Sequence, residues 1–417
     1  MIARDDELAS LDRRLGAARS GSGSFVVLAG EAGVGKSRIA RAVARRARES
    51  GFTVLTGRAV AGSVAGPYRP LAEAFMSGLR ERALPETPEL APFRPALGRI
   101  VAQWHHADLA TSTESGIVVG EGVLRLLRAL AGQGSALLVV EDVHEADPES
   151  LSVLEFLSDN LHDQPVVLVA TMRSGERSRG ARLLHDLAAR RTAELVDLRR
   201  LPQVDVAAMA GACLGAAELP AALLAALERA DGLPFLVEEL LASWLDAGTL
   251  TRAGGGWTFD PHGSPAVPQT VAESVRHRLA RWEPADVEVL RCAATLGRRF
   301  SWDLLPPMLD RDPAPVVGAL RRCVERQFLA ADADGFQFRH ALTRDAVLDE
   351  LVAGERRDLA ARALAALRAQ YPDLPGGRCE LAAELAETGG DAAGAARSWC
   401  EVGRRALAAG ALGSAEV

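Results

Sequence analysis

One eight-residue segment near the start of the chain constrains the fold more than any other part of the sequence. The segment Gly30-Glu31-Ala32-Gly33-Val34-Gly35-Lys36-Ser37 fits the pattern G-x-x-x-x-G-K-[ST]. Five apolar residues, Phe25–Ala29, precede it without interruption, which is typical of a strand buried inside a parallel sheet. After it, Ile39, Val43 and Ala47 recur at helical spacing. A buried strand, a glycine-rich loop and a helix in this order predict a phosphate-binding loop.

The residue types in this loop suit the chemistry of phosphate binding. Glycines allow the backbone to wrap around a phosphate without side-chain clashes, while backbone N–H groups and the helix N-terminus supply positive potential. Lys36 can reach the β- and γ-phosphates, and Ser37 can ligate Mg²⁺. Lys36 is also the one lysine among 48 basic residues, and the other 47 are arginines. A lysine kept against such a bias indicates a position where arginine does not suffice.

Two acidic residues follow a second buried strand, about a hundred residues after the loop. Leu137–Val140 are apolar, and Glu141 and Asp142 come directly after them. We expect one carboxylate to hold Mg²⁺, directly or through water, and the other to orient the attacking water. The usual order begins with Asp, so the assignment of the two roles stays open. A third strand ends near Arg173, which could lie beside the γ-phosphate or be an ordinary surface arginine.

Strand and helix signals alternate up to about residue 200, which predicts a parallel α/β sheet. Residues 4–18 predict a first helix with Leu8, Leu11 and Leu15 on one face. The stretch from about 60 to 135 is interpreted as a helical insertion between two strands. The candidates for buried strands are Phe25–Ala29, Thr53–Thr56, Ala136–Val140, Val166–Thr171 and Glu194–Leu198.

Beyond residue 200 the patterns are mainly helical. Gly254–Gly256 and Pro261–Pro268 predict a linker. Residues 269–352 then predict three or four short helices followed by the strands Phe328–Ala331 and Phe336–Arg339, with Asp334-Gly335 as the hairpin turn. Helices followed by such a hairpin suggest a winged helix. From residue 356 on, the chain is rich in Ala, Leu and Arg, and its helices look like one incomplete tetratricopeptide repeat.

Composition excludes several classes of protein. The chain has 417 residues, 48% of them hydrophobic and 25% charged, so that wholesale disorder is not expected. Its net charge of −7 does not favour a large non-specific nucleic-acid surface. The five cysteines show no C-x-x-C spacing, which argues against a disulfide framework or zinc site. The first twenty residues lack the apolar core of a signal peptide, and no apolar run is long enough to span a bilayer. We therefore expect a cytoplasmic protein.

These elements in this order resemble the STAND class of P-loop ATPases, in particular the ATPase module of large LuxR-type transcriptional regulators. Gly30–Ser37 and Leu137–Asp142 match the two Walker motifs of that class. The opening Arg4-Asp5-Asp6-Glu7-Leu8 is similar to its G-R-E-x-E-L start, with Ala3 in place of the glycine. Val143–Pro148 is similar to its L-[HQ]-W-A-D-P segment, with Glu145 in place of the tryptophan.

The resemblance also assigns roles to three residues outside the two Walker motifs. Ala170-Thr171-Met172-Arg173 resembles an A-T-x-R sensor, which makes Arg173 a candidate sensor of the γ-phosphate. Pro234, in a Gly-Leu-Pro segment, corresponds to a lid residue near the nucleotide base; without the resemblance this segment is merely a turn. His340, in Phe338–Leu342, corresponds to a winged-helix histidine that touches the β-phosphate of ADP; the alternative is an ordinary histidine capping a helix.

The fold implied by this resemblance is an α/β P-loop NTPase with an AAA+/STAND-like parallel sheet, followed by an all-α lid, a winged helix and the start of a helical-repeat region. The corresponding ranges are 1–200, 201–265, 266–352 and 353–417. The implied cofactors are ATP or ADP with Mg²⁺. Expected nucleotide contacts are Arg4, Gly30, Glu31, Ala32, Gly33, Val34, Gly35, Lys36, Ser37, Arg38, Pro234 and His340. Expected catalytic residues are Glu141, Asp142 and Arg173, and expected metal ligands are Ser37, Glu141 and Asp142.

The function implied is a slowly hydrolysing ATP/ADP switch of a signalling or transcriptional regulator. We expect self-association in the ATP state and an inducer or protein partner at the C-terminal helical region, but neither direct DNA binding nor membrane association. Neither a complete sensor nor a DNA-binding tail precedes Val417; either the chain is truncated or another chain supplies the output. Two alternatives are a motor-type AAA+ ATPase and a nucleotide-binding scaffold with little hydrolysis. Similar ATPase modules follow cyclase domains in some soluble adenylyl cyclases, but cyclase activity of this chain is not expected.

Overall fold

The computed structural model describes residues 3–60, 67–79, 84–104, 116–253, 256–260, 275–276, 278–332 and 335–408. Within these, the chain divides into two compact units. The first comprises Ala3–Arg199 together with the residues from Cys400 on, and the second comprises Arg200–Trp399.

The first unit is built on a five-stranded sheet whose strands run in the order β2-β3-β4-β1-β5. Every neighbouring pair is parallel, so the predicted parallel α/β sheet is confirmed. Each predicted strand is present, with bounds that differ by at most two residues. The strands are β1 (Ser24–Gly30), β2 (Thr53–Arg58), β3 (Ala136–Glu141), β4 (Val166–Arg173) and β5 (Glu194–Leu198).

The order of the strands explains their burial. β1, β3 and β4 are interior strands, and almost all of their residues are buried, as their continuous apolar sequences predict. The prediction that Glu194–Leu198 is a buried strand was wrong, because β5 is an edge strand in which only Leu198 is buried. Its alternation of partly buried and exposed residues is typical of a strand with one face on the core.

Helices cover the sheet of the first unit. Leu8, Leu11 and Leu15 of the first helix are buried, as their spacing predicts, and so are Ile39 and Val43 of the second. The described residues between β2 and β3 form three α-helices, which agrees with the predicted helical insertion. The helices are α1 (Asp5–Arg19), α2 (Lys36–Glu49), α3 (Arg69–Leu79), α4 (Arg94–Leu97), α5 (Gly116–Ala131), α6 (Pro148–Asn160) and α7 (Arg179–Ala189).

The second unit begins with three helices, α8 (Gln203–Leu214), α9 (Ala221–Leu227) and α10 (Pro234–Ala247). An antiparallel pair follows, β6 (Leu250–Ala253) with β7 (Gly256–Phe259). The linker predicted at Gly254–Gly256 was therefore wrong at Gly256, which begins β7; Gly254, Gly255 and the predicted linker at Pro261–Pro268 lie outside the described residues. The expectation that the lid, 201–265, is all-α was likewise wrong, because this pair lies within it. The pair was missed because each strand is only four residues long, and a short strand next to glycines has the sequence of a loop.

The next part of the second unit combines helices with a three-stranded antiparallel sheet of order β8-β10-β9. The predicted hairpin strands are present with bounds shifted by one residue, while Asp334 of the predicted turn lies outside the described residues. The two-residue strand β8 was not predicted. The elements are α11 (Pro284–Leu296), β8 (Arg299–Phe300), α12 (Leu305–Leu309), α13 (Pro313–Glu325), β9 (Leu329–Asp332), β10 (Gly335–Phe338) and α14 (Ala341–Asp349).

The last helices are α15 (Ala353–Gln370), α16 (Arg378–Gly389) and α17 (Ala392–Ala408). The left-handed Gly390 ends α16, as its glycine pair suggests; Gly410 lies outside the described residues. Among the described helices, none is both long and apolar enough to cross a membrane.

Candidate functional site

The glycine-rich loop joins the end of β1 to the start of α2. Gly30 is the last residue of the strand, and Lys36 is the first residue of the helix. Gly35, directly before the helix, has a φ of 108°, which a side chain would make costly. A Cβ atom on Gly30 would lie 2.9 Å from the carbonyl oxygen of Leu198. The loop thus needs glycine at these positions to keep its curvature and its contact with β5.

The side chain of Lys36 extends back over the main chain of the phosphate loop. Its Nζ donates hydrogen bonds of 2.8 Å to the carbonyl oxygens of Gly30 and Glu31. The pKa of Lys36 is lowered to about 8, mainly by burial and also by the positive charge of Arg173, against the charges of Asp142 and Glu31. A buried ammonium next to a second cation favours an anion in the loop.

The topology brings three strand ends to one edge of the sheet. Gly30, Glu141 and Arg173 are the last residues of β1, β3 and β4. β4 lies between the other two strands, and Gly30 pairs in register with Arg173. Because the carboxyl ends of parallel strands face the same way, the loop, the acidic residues and the arginine meet at one edge, which is where α/β sheets bind ligands.

The two neighbouring acidic residues have different partners. The carboxylate of Glu141 accepts a hydrogen bond from the Ser37 hydroxyl, and burial raises the pKa of Glu141 despite that bond. The carboxylate of Asp142 instead pairs with the guanidinium of Arg58, the last residue of β2. The main-chain N–H of Asp142 donates to the Thr171 hydroxyl at 2.8 Å. Glu141 is thus bonded to the loop through Ser37, while the carboxylate of Asp142 is held by Arg58 and its charge acts on Lys36.

The donors at Ser37 and Glu141 fit a hard divalent cation. A hydroxyl and a carboxylate oxygen are ligands that Mg²⁺ accepts, and Mg²⁺ normally completes its shell with water and phosphate oxygens. The described residues contain no group of three or more His, Cys, Asp or Glu side chains that could hold a metal ion without such help. The site therefore suits a cation that arrives with a phosphate.

The side chain of Arg173 has no hydrogen-bonded or ion-paired partner within the described part of the chain, although the residue is half-buried. Its charge acts on Lys36, on His144 and on Glu145. A half-buried guanidinium without a direct partner has unused donors, and phosphate oxygens suit its planar fork. The geometry is that of a cation available to a ligand at the loop.

A 3-10 turn, Val143–Glu145, follows the acidic pair and contributes two more titratable groups. His144 is buried, and burial lowers its pKa. Burial raises the pKa of Glu145, whereas the charge of Arg173 lowers it. Glu145 thus brings a carboxylate into electrostatic range of Arg173.

Asp147 begins α6 as its N-cap, a role that the motif alone did not reveal. Its Oδ1 accepts hydrogen bonds from the Ser150 N–H at 2.8 Å and from the Tyr68 N–H at 3.0 Å. Its Oδ2 accepts one from the Ser150 hydroxyl at 2.8 Å. Burial raises the pKa of Asp147 despite these bonds. Asp147 therefore anchors the segment after the acidic pair and the chain before α3 to each other.

Arg4 contacts the main chain of the phosphate loop. Its guanidinium donates to the carbonyl oxygens of Val34 at 3.3 Å and Arg199 at 2.6 Å, and it pairs with Glu7 at 3.1 Å. It is only 7% exposed. These bonds make Arg4 a support of the loop backbone. Among the other expected nucleotide contacts, Val34 is buried, Ala32 and Gly33 are half-buried, and Glu31 and Arg38 are exposed.

The two expected contacts beyond the first unit come together in the second unit. Pro234 is the first residue of α10, and the ring of the next residue, Phe235, lies 4.5 Å from that of His340. His340 Nε2 also lies 3.7 Å from Glu238 Oε2. His340 is the N-cap residue of α14, but its side chain makes no capping hydrogen bond, which argues against the simple capping alternative.

Sequence reasoning missed Arg58 altogether. The residue lies two residues beyond the predicted strand Thr53–Thr56 and ends the observed strand at the same edge as the phosphate loop, so a search for charged residues just after every predicted strand would have included it. Its pairing with Asp142 could not be foreseen, because the sequence does not say that β2 lies next to β3.

Comparisons with known proteins agree with this geometry. Residues 1–169 match the family model of the AAA ATPase domain. The part of the chain that carries the phosphate loop and the acidic pair is thus an AAA-type P-loop ATPase domain, and such a domain implies nucleotide binding.

Relatives and similar structures extend beyond that domain. An uncharacterized protein of Rhizobium meliloti (strain 1021) is 24% identical over 400 residues, which cover 88% of this chain and 37% of that protein. The crystal structure of a STAND protein with a tetratricopeptide repeat sensor from Pyrococcus horikoshii is similar with a TM-score of 0.51 at 14% identity. That similarity covers 94% of this chain and 52% of the other, and it indicates a shared fold. A Walker-type ATPase of Pyrococcus abyssi is similar with a TM-score of 0.42 at 14% identity, over 83% of this chain and 96% of the other.

Proposed function

We propose that this chain binds ATP and ADP with Mg²⁺ and works as a slowly hydrolysing switch in a signalling or transcriptional regulator of the LuxR-type STAND class. The observation that carries the proposal is the pair of cations at the sheet edge. Lys36 is buried with a lowered pKa, and Arg173 stands in its electrostatic range without a direct partner among the described residues. Bound phosphates would neutralise both charges.

Each residue at this edge of the sheet has a separate role in the proposal. Ser37 and Glu141, which are hydrogen-bonded to each other, would hold Mg²⁺, and Mg²⁺ when bound offsets the negative charge of the phosphates. Asp142 would orient the attacking water, with Arg58 fixing its carboxylate. Arg173 would distinguish ATP from ADP by contacting the γ-phosphate. This proposal assigns the metal to Glu141, a choice that the sequence left open.

The regulatory half of the proposal concerns the second unit. We assign residues 201–265 to a helical lid, 266–352 to a winged helix and 353–417 to the start of a repeat region that meets an inducer or partner. ADP would keep lid and winged helix closed through Pro234 and His340, and ATP would favour an open, self-associating state. The contact between Phe235 and His340 supports this, because it joins the two segments. Each nucleotide can shift the balance only by its differential affinity for the two states.

The first test is nucleotide binding by the purified full chain and by Lys36→Arg. Arg keeps the charge but not the compact ammonium, so we expect at least a roughly tenfold loss of ATP and ADP affinity. The matched control is Arg45→Lys, an exposed residue of the same helix, which should bind as wild type does. Wild-type affinity and turnover in Lys36→Arg would refute the site.

A second variant tests the switch. Arg173→Gln should weaken ATP binding by about tenfold or more while leaving ADP affinity nearly unchanged, because only ATP carries the γ-phosphate. Equal losses for both nucleotides would contradict the sensor role.

Single-turnover hydrolysis and light scattering on the wild type separate the switch from the two alternatives, a motor-type ATPase and a nucleotide-binding scaffold. Fast turnover that depends on oligomers would identify a motor, and absence of Mg²⁺-dependent hydrolysis would identify a scaffold.

A further inference from the structure

The most deeply buried ion pair of the described residues lies in the second unit, around Arg278. The side chain of Arg278 is 2% exposed. Its Nη1 donates to Glu239 Oε2 at 2.9 Å, and its Nε donates to Asp246 Oδ2 at 3.2 Å. Both acceptors belong to α10 and are seven residues apart, so they lie on one face of that helix. The guanidinium therefore holds two turns of α10 at once.

Arg278 itself lies in the other of the two segments, the proposed winged helix. Its Nη2 donates to the main-chain carbonyl oxygen of Arg326 at 2.5 Å, where the end of α13 leaves carbonyls without helical partners. Its guanidinium lies over the ring of Phe328, 4.2 Å from the centroid. The neighbouring Leu279 and Trp282 are part of the buried apolar cluster of this segment. Arg278 thus belongs to the proposed winged helix, and its side chain also forms hydrogen bonds with α10.

The apolar packing of the two segments is separate. The buried apolar cluster extends from Val275 to Ala395, and among the described residues it includes none from α10. Among the described residues, α10 meets the cluster's segment through the Arg278 bonds, the approach of His340 to Glu238 at 3.7 Å and the ring contact of Phe235 with His340 at 4.5 Å. A joint made by a few hydrogen bonds and one ring contact can open without pulling apart a common apolar core, whereas packed cores resist such separation.

We propose that Arg278 is a latch that holds the lid helix α10 against the winged helix and thereby positions Pro234 beside His340. The proposal rests on the switch function proposed above. Arg278 is a positioning residue, since its hydrogen bonds go to α10 and α13. A buried guanidinium with acceptors on both segments suits a specific, breakable joint better than a permanent one, because well-packed apolar residues hold a permanent contact at least as well.

The latch is tested first without nucleotide, on the full chain, by hydrogen–deuterium exchange of wild type, Arg278→Met and Glu239→Gln. Methionine fills most of the arginine's volume but makes none of its three hydrogen bonds. We expect exchange in α10 to rise about tenfold or more in Arg278→Met, with the buried helix α11 still protected, and a smaller rise in Glu239→Gln. The control Arg276→Met removes an arginine two residues away whose side chain is 57% exposed, and it should behave as wild type does. Unchanged exchange in α10 would overturn the latch.

The second measurement compares nucleotides. An opened latch should weaken ADP binding by roughly 5- to 150-fold relative to ATP, which is the usual range of coupling between sites. Faster exchange in α10 with an unchanged ratio of ADP to ATP affinity would make the contact purely structural and overturn the regulatory role. If Arg278→Met unfolds, as judged by circular dichroism, Arg278→Lys takes its place, and unfolding of both would overturn the latch in favour of a folding role. If wild type binds neither nucleotide, the proposed function fails, and the exchange result alone decides whether Arg278 joins the two segments.

Discussion

The lowered pKa of Lys36 has a measurable consequence for stability. In the nucleotide-free protein it lies at about 8, against a usual value of 10.5. Below pH 8 the lysine is charged in both the folded and the unfolded state, so the folded state bears the full cost of the buried charge. As the pH rises through 8 the folded state releases its proton while the unfolded chain keeps it until about 10.5. Stability therefore rises with pH over this window, because the unfolded state binds more protons.

The magnitude follows from the size of the window. A difference of about 2.5 pH units corresponds to about 3.4 kcal/mol at 1.36 kcal/mol per unit. Lys36→Met lacks the titrating group, so the difference in unfolding free energy between wild type and variant should change by up to this amount between pH 7.5 and 10.5. Urea denaturation at a series of pH values measures that difference and cancels the titration of other groups.

Nucleotide affinity should show the opposite dependence. Bound phosphates need the charged ammonium, so the Kd for ADP should rise by up to about tenfold per pH unit above 8. Isothermal titration in buffers of different ionisation enthalpy should show proton uptake on binding. A free-energy difference between wild type and Lys36→Met that stays flat from pH 7.5 to 10.5, or an ADP affinity independent of pH there, would refute the reasoning.

Variants at two further positions test the residues that support the site. Arg58→Gln removes the cation that holds Asp142; we expect single-turnover hydrolysis to fall by about tenfold or more with little change in nucleotide affinity, and Arg58→Lys to recover part of the rate. An unchanged rate, or an equal loss of affinity, would contradict the positioning role. Asp147→Ala removes the N-cap of α6 and leaves the N–H of Tyr68 without its acceptor, so the unfolding free energy should drop by about 1–3 kcal/mol in urea denaturation. Asp147→Asn keeps the Oδ1 acceptor and should lose less; equal losses in both variants would mean that the charge, and not the cap, matters.

The elements that could be predicted from the sequence are those whose signal is local. Each interior strand is a run of apolar residues, and such a run specifies burial without knowledge of its neighbours. The phosphate loop has its own spacing, and the helices have their own periodicity. Edge strands and short hairpins were predicted less well from the sequence. The sequence of β5 does not alternate between apolar and polar residues, although its two carboxylates, Glu194 and Asp197, are unusual for a buried strand. β6 and β7 are too short to show a period.

The sequence by itself determined that a strand, Gly30–Ser37 and a helix would form a phosphate loop, and that Glu141, Asp142 and Arg173 would stand at strand ends. Only the tertiary structure decided which partner each one meets. The order β2-β3-β4-β1-β5 places Arg58 beside Asp142 and Arg173 beside Gly30, and Glu141 accepts a hydrogen bond from Ser37. The physical reason is that hydrophobic pattern and turn chemistry act between residues close in sequence, whereas charge pairing acts through space. The pairing partners here are 84 residues apart in Arg58–Asp142 and 39 apart in Arg278–Glu239, and only the fold brings them together.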